Sequence, residues 1–344
     1  MNMLTNRQLQ ILQVIVDDFV TSAQPVGSRQ ISKKEGITFS SATIRNEMAD
    51  LEDLGFLEKT HTSSGRVPSE KGYRYYVDHL LKPQVIAAEE IKRIQSLFTS
   101  QLLESEQLIK QSAAILSELT TYTTVLLGPD VLNHKVKKFQ IIPLTEQSAV
   151  AIIVMDNGHV ENRLVSIPDE MSPADIEKMV NILNDRLVGV PLVHLHQKLE
   201  IEALSVLKQH VKAADAFVYS LLNATKEQKE NKVYVGGKTN MLNQPEFHDI
   251  QKVREFLDLM EAESQITPLL KTSENGIQIK IGSENNHYAM ENCSVITTSF
   301  QVGDELGSIA IIGPTRMDYQ RVVALIDFMR SGLTYALSND QDGK

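Results

Sequence analysis

The chain has 344 residues, a hydrophobic fraction of 42% and a formal net charge of −10. These values describe a globular protein of two or three domains, and no apolar run approaches the roughly 20 residues that span a bilayer. The single cysteine, Cys293, excludes an internal disulfide and a cysteine-based metal cluster. Because the N-terminus also lacks the pattern of a secretory signal, the sequence predicts a cytoplasmic protein.

Three helices are predicted at the N-terminus. Apolar residues recur at helical spacing across 5–20, and a short basic helix follows at 28–34. Ser40 or Ser41 then caps a third helix that Gly55 ends. Helix, short helix, turn and helix in this order favour a helix-turn-helix.

The third helix is predicted to be amphipathic. Its buried face comprises Ile44, Met48, Leu51 and Leu54. Its opposite face presents Thr43, Asn46 and Asp50, flanked by Arg45 and Glu47. Arg45 is open to two interpretations, a DNA contact or an ion pair with a neighbouring carboxylate on a solvated face.

A β-wing is predicted after the third helix. A short strand at 56–59, a polar turn at 62–65 and a return strand at 66–67 precede Pro68, and Ser69 caps the next helix. Residues 1–84 hold ten basic and ten acidic residues, yet 59–76 hold four basic residues against one acidic. This local excess suits a phosphate backbone, although winged helices also mediate protein contacts without DNA.

The body of the chain is predicted to be α+β. A long helical segment runs without a break from 85 to 119, followed by a strand at 123–127. The remaining predicted strands lie at 138–144, 149–155, 160–167, 232–235, 277–281, 293–302 and 307–312. The remaining predicted helices lie at 173–188, 197–212, 214–226 and 249–262, with a last one from 319. The short turns of the first three strands indicate an antiparallel meander, and the interrupted strand pattern indicates that 135–226 is an insertion.

Catalytic and metal-binding patterns are weak. Gly236-Gly237-Lys238-Thr239 lacks the first glycine of a phosphate-binding loop, and His194 and His196 have no third ligand in a recognisable pattern. Cys293 lies in an apolar strand, where an inert buried thiol is expected. The sequence therefore predicts a protein that is not an enzyme and has no cofactor and no metal.

Longer motifs resemble a known family. SSATIRNEMADLEDLGFLEK at 40–59 and HTSSGRVPSEKGYRYYVD at 61–78, after LTNRQLQIL and PVGS, are similar to the heat-inducible transcription repressor family HrcA. The similarity is most specific in 3–78 and continues more loosely to VGDELGSIAIIGPTRMDY at 302–319.

The resemblance implies a fold and a set of partners. The implied domains are a winged helix-turn-helix at 1–84, a GAF-like domain at 85–134 and 227–344, and an inserted α+β dimerising domain at 135–226. The implied partners are double-stranded DNA carrying the inverted-repeat CIRCE operator, a second copy of the chain, and the GroEL chaperonin on which activity depends. No membrane partner is implied.

Seven residues are predicted to contact DNA. They are Ser41, Thr43, Arg45, Asn46, Lys59, Arg66 and Lys71. The first four would face bases or adjacent phosphates, since arginine can read guanine and asparagine adenine, and the last three would hold the backbone from the wing side. Two alternatives remain at this point, a small-molecule sensor built on a GAF-like body and a winged helix that docks proteins.

Overall fold

The computed structural model describes residues 4–60, 65–98, 105–128, 135–156, 158, 160–210, 213–225, 233–247, 249–270, 276–302 and 305–342. The chain divides into two compact units, one comprising 1–129 and 233–344 and the other 130–232. Across the described residues the architecture is α+β with three antiparallel sheets. The expected insertion at 135–226 falls within the second unit, and the domain boundary at residue 84 stays a prediction.

The first unit begins with four helices and a small hairpin. The elements are α1 (Asn6–Ser22), α2 (Ser28–Ile31), α3 (Ser41–Asp53), β1 (Leu57–Lys59), β2 (Arg66–Pro68) and α4 (Glu70–His79). Thr5 and Gln8 form the capping box that begins α1, and Ser40 and Ser69 cap α3 and α4 through side-chain oxygens. The turn expected at 62–65 lies largely outside the described residues.

A five-stranded antiparallel sheet forms the body of the first unit. Its strands, in the order β7-β3-β10-β9-β8, are Val233–Gly236, Thr123–Leu127, Glu305–Pro314, Cys293–Val302 and Gln278–Ile281. The helices of the body are α5 (Ala88–Phe98), α6 (Ser105–Thr120), α11 (Ile250–Glu261), α12 (Glu263–Leu270) and α13 (Tyr319–Asp342). Alternation divides the strands' apolar residues between two cores: Ile309 and Ile311 pack with α6 and α13, whereas Ala310 and Ile312 pack with α11 and α12.

The expectation of one unbroken helix across 85–119 is wrong. Arg93 on α5 and Glu118 on α6 form an ion pair at 2.5 Å, whereas a continuous helix would separate them by roughly 37 Å. The two helices therefore lie side by side, and their apolar stripes face each other and α13. A 3.6-residue period does not reveal such a reversal when no glycine or proline marks it.

The second unit is a three-stranded sheet covered on one face by helices. Its strands, in the order β4-β5-β6, are Val136–Thr145, Ser148–Met155 and Val160–Ser166. Its helices are α7 (Pro173–Leu187), α8 (Leu192–Lys198), a π-helical turn (Leu199–Ala203), α9 (Leu204–His210) and α10 (Ala214–Thr225). Phe139, Ala151 and Ile153 point into the core with Met179 and Leu183 of α7.

Gly72 permits a close approach of α4 to the start of the hairpin. A Cβ atom added there would lie 2.1 Å from the Phe56 carbonyl oxygen, which is backbone and cannot swing away. We expect Gly72→Ala to lower the free energy of unfolding by about 1–3 kcal/mol, because this clash outweighs alanine's better helix propensity. Urea unfolding measures the change.

Gly27→Ala is the matched control, since nothing lies within 4 Å of a Cβ there and its backbone φ is −100°. Gly27→Ala should lower the free energy of unfolding by less than about 1 kcal/mol. Equal costs for the two variants would contradict the steric account.

Candidate nucleic-acid interface

Helix α3 presents a polar face opposite its buried one. Ile44, Met48 and Leu51 are buried in the core shared with α1, whereas Arg45 and Asn46 are exposed. Leu54, expected in the core, is 36% exposed because the helix ends at Asp53 and Leu54 is already the cap. The helix therefore offers a rigid row of polar side chains to a partner.

The first turn of α3 is held from two sides. The Ser40 hydroxyl accepts a hydrogen bond from the Thr43 amide at 3.1 Å and lies 2.9 Å from the Thr43 hydroxyl. The hydroxyls of Ser41 and Ser28 lie 3.1 Å apart, which joins the start of α3 to the start of α2. Ser41 and Thr43, both predicted to contact DNA, thus also stabilise the position of the helix.

Arg66 turns inward from the hairpin. Its Nη2 and Nε lie 2.6 Å and 2.7 Å from the Glu52 Oε2 on α3, and its backbone exchanges hydrogen bonds with Val26. The side chain is 16% exposed. The predicted phosphate contact stays a prediction, and the observed geometry gives Arg66 a structural role that fastens the hairpin to α3.

Lys71 also contacts the protein's own backbone. Its Nζ donates to the Leu54 carbonyl oxygen at 2.7 Å and lies 4.5 Å from the centre of the Phe56 ring. A cation at the C-terminal end of a helix stabilises the unpaired carbonyls and the helix dipole. Lys71 is therefore placed to cap α3, and its contact with DNA likewise stays a prediction.

Three predicted residues have side chains that are not engaged in the way those of Arg66 and Lys71 are. They are Lys59, Arg45 and Asn46. All three side chains are exposed, and within the described residues none forms a hydrogen bond or an ion pair. Glu47, one of the two carboxylates considered for Arg45, pairs with Arg7 at 2.8 Å. In the described part of the chain, three of the seven predicted residues thus have side chains that form neither a hydrogen bond nor an ion pair.

Removing the Arg66 guanidinium tests its structural role. We expect Arg66→Ala to lower the free energy of unfolding by about 1 kcal/mol, because a half-exposed Glu52 loses its partner. Urea unfolding measures this, and Lys59→Ala on the opposite strand of the hairpin is the control, since the Lys59 side chain forms no ion pair with any residue that the structure describes. Equal stability of the Arg66→Ala variant and the unchanged protein would contradict this role.

Two basic residues outside the predicted set belong to the α2 segment, which packs against α3. Arg29 and Lys33, on and just after α2, are exposed. The sequence signal was the basic character of 28–34, a segment for which no DNA contact was predicted.

The described residues show no other chemical site of comparable definition. Burial raises the pKa of the Cys293 thiol to about 12, which leaves it protonated and unreactive near neutral pH. Among the described residues, no three His, Cys, Asp or Glu side chains converge in a metal-binding group. No helix in the described ranges is both long and apolar enough to cross a membrane.

Comparison with known proteins identifies the family. The HrcA protein C-terminal domain matches residues 106–323. The heat-inducible transcription repressor HrcA of Lysinibacillus sphaericus is 64% identical over 341 residues, which cover 98% of this chain and 99% of the relative. This chain belongs to the HrcA family.

Further relatives agree. HrcA of Bacillus pumilus (strain SAFR-032) is 54% identical over 342 residues, covering 99% of this chain and 100% of the relative. A crystal structure described as a hypothetical protein at 2.2 Å resolution superimposes with a TM-score of 0.70 at 22% identity, covering 98% of this chain and 99% of that one. The last likeness concerns the fold alone, whereas the HrcA relatives show that the chain is a heat-inducible transcription repressor.

Proposed function

We propose that the chain represses chaperone operons by binding the inverted-repeat CIRCE operator as a dimer. The observation that carries the proposal is α3, whose exposed Arg45 and Asn46 stand on a helix fixed to the core and to α2. In a winged helix-turn-helix this helix enters the major groove, where such side chains distinguish guanine and adenine. The hairpin of β1 and β2 acts as the wing, and Lys59 contacts the phosphate backbone.

Residues 85–134 and 227–344 form the GAF-like domain of the proposal. A five-stranded antiparallel sheet with helices on both faces supports this assignment. The domain joins the DNA-binding helices within one compact unit. Arg74 of α4, for example, donates to Glu284 at 3.0 Å and 2.6 Å.

The inserted unit is the proposed dimerisation domain. The sheet face opposite its helices carries Ile142, Val160 and Leu164, exposed by 48%, 50% and 68%. Ile142 and Leu164 flank Val150 in register across all three strands. An apolar patch of this kind on an otherwise charged protein is typical of an interaction surface, and a second copy offers an identical apolar face.

Dependence on the GroEL chaperonin completes the proposal. Its support is the family resemblance together with the apolar sheet face, which a monomer exposes until it pairs. A chaperonin that binds exposed apolar surface would hold such a monomer until it assembles. When heat supplies competing unfolded proteins, fewer repressor dimers form and the operons are expressed.

Selection from random double-stranded DNA tests the proposal. Chaperonin-treated dimer should enrich an inverted repeat, and both halves of the repeat should be needed for retention. Enrichment of unrelated fragments, or of none at low salt, would contradict the proposal and favour a protein-docking role.

A further inference from the structure

We infer that Arg29 and Lys33, on and just after α2, supply the principal phosphate contacts that flank α3, in place of Arg66 and Lys71. This inference rests on the proposed DNA-binding function. It assigns the contacts to a surface, here called the α2 patch and comprising Arg29 and Lys33, and it leaves Lys59 as the remaining phosphate contact on the wing side.

The first step is that three of the four basic residues within 59–76, all except Lys59, already bind acceptors within the protein. Arg66 pairs with Glu52, and Lys71 binds the Leu54 carbonyl. Arg74, just behind the hairpin, pairs with Asp78 and Glu284. Moving any of these side chains to a phosphate would break a contact already formed within the protein, so each phosphate bond there brings a reduced net gain.

The second step is the freedom of the α2 patch. Asp18 of α1 accepts from Gln30 at 3.1 Å and from Lys34 at 2.5 Å, so its charge is already matched. Arg29 and Lys33 keep exposed side chains that form no ion pair within the described part of the chain. Together with Gln30 and Lys34 they line an open hollow of about 440 Å³.

The third step is position. The hydroxyls of Ser28 and Ser41 lie 3.1 Å apart, so Arg29 follows directly on the residue that touches the first turn of α3. A helix lying in the major groove has a phosphate strand along each side. With α3 in the groove, the adjacent start of α2 is close to one strand. Glu35 is the acidic residue nearest in sequence to Lys33, and it is exposed and able to turn to solvent.

The salt dependence of binding measures phosphate contacts directly. Each neutralised phosphate contributes about 0.9 to the slope of log K against log salt, so Arg29→Ala/Lys33→Ala should reduce the slope by about 2 per chain. Affinity for operator and for unrelated DNA should fall together, because phosphate contacts carry no base information. Fluorescence anisotropy over a salt series with a labelled operator and a scrambled duplex gives both quantities.

Three controls separate the possible causes. Lys252→Ala removes an exposed cation of α11 in the body and should leave the slope unchanged. Arg29→Lys keeps the charge and should retain the slope of the unchanged protein. Thermal unfolding of each variant shows whether the fold is intact, and the two exposed side chains of the α2 patch should contribute little to it.

The outcomes are distinct. A slope unaffected by Arg29→Ala/Lys33→Ala overturns the inference while leaving the proposed function intact. So does a larger reduction of the slope in Arg66→Ala than in the α2 patch variant. Failure of the unchanged protein to bind any duplex would overturn the inference and the proposed function together.

Discussion

Replacing Leu164 by aspartate is expected to convert the proposed dimer into monomers and to weaken binding to a two-half-site operator by about a hundredfold or more. Leu164 is 68% exposed on the open face of the β4-β5-β6 sheet, next to Val150 and in line with Ile142. A carboxylate at the centre of an apolar interface loses its hydration without gaining a partner. The DNA-binding domains of two separate monomers are no longer linked, so each must bind its half-site alone.

Sedimentation velocity measures the state of association, and anisotropy with a complete and a single half-site measures binding. Lys178→Asp, on α7 of the covered face, introduces the same side chain at an exposed position and should remain dimeric. The Leu164→Asp monomer should keep its affinity for the single half-site. A dimer that persists in Leu164→Asp would place the interface elsewhere.

Replacing Asn46 by alanine is expected to remove most of one base preference without weakening non-specific binding. A good bidentate contact to a base discriminates by about 1–3 kcal/mol per half-site, and a symmetric dimer makes it twice. Because the Asn46 side chain is exposed and forms no hydrogen bond within the described residues, its loss should leave folding unchanged. The effect should therefore appear in the ratio of the affinity for the operator to the affinity for a scrambled duplex.

Competition between labelled operator and scrambled duplex at one salt concentration measures this ratio. Asp53→Ala changes an exposed residue at the end of the same helix and should leave the ratio unaltered, even though removing a negative charge strengthens all DNA binding. Undiminished discrimination by Asn46→Ala would show that another residue reads the base.

Local sequence patterns predicted the elements near residues 1–80 well. Helix α3 was expected to begin at Ser40 or Ser41 and to end before Gly55, and it spans Ser41–Asp53. The predicted cap Ser69 was confirmed by its hydrogen bond, and of the two candidates for the cap of α3, Ser40 accepts from the Thr43 amide. These predictions succeeded because a cap and an apolar stripe act within a few residues of each other.

Predictions that depended on distant contacts were less successful. The reversal between α5 and α6 leaves no glycine or proline in the sequence, and the ion pair of Arg93 with Glu118 joins residues 25 positions apart. The basic excess at 59–76 predicted that the wing contacts the phosphate backbone. In the structure Arg66, Lys71 and Arg74 each meet an acceptor that composition could not pair with them.

The sequence by itself determined the helix-hairpin order at the N-terminus, the α+β character of the body and the resemblance to HrcA, because these follow from local periodicity and contiguous motifs. Tertiary structure alone decided which cations remain available. Whether a lysine or arginine can meet a phosphate depends on which carboxylate or carbonyl lies within about 3 Å of it. Folding sets that distance: it places Glu52 against Arg66 and leaves Arg29, Lys33, Arg45 and Lys59 exposed.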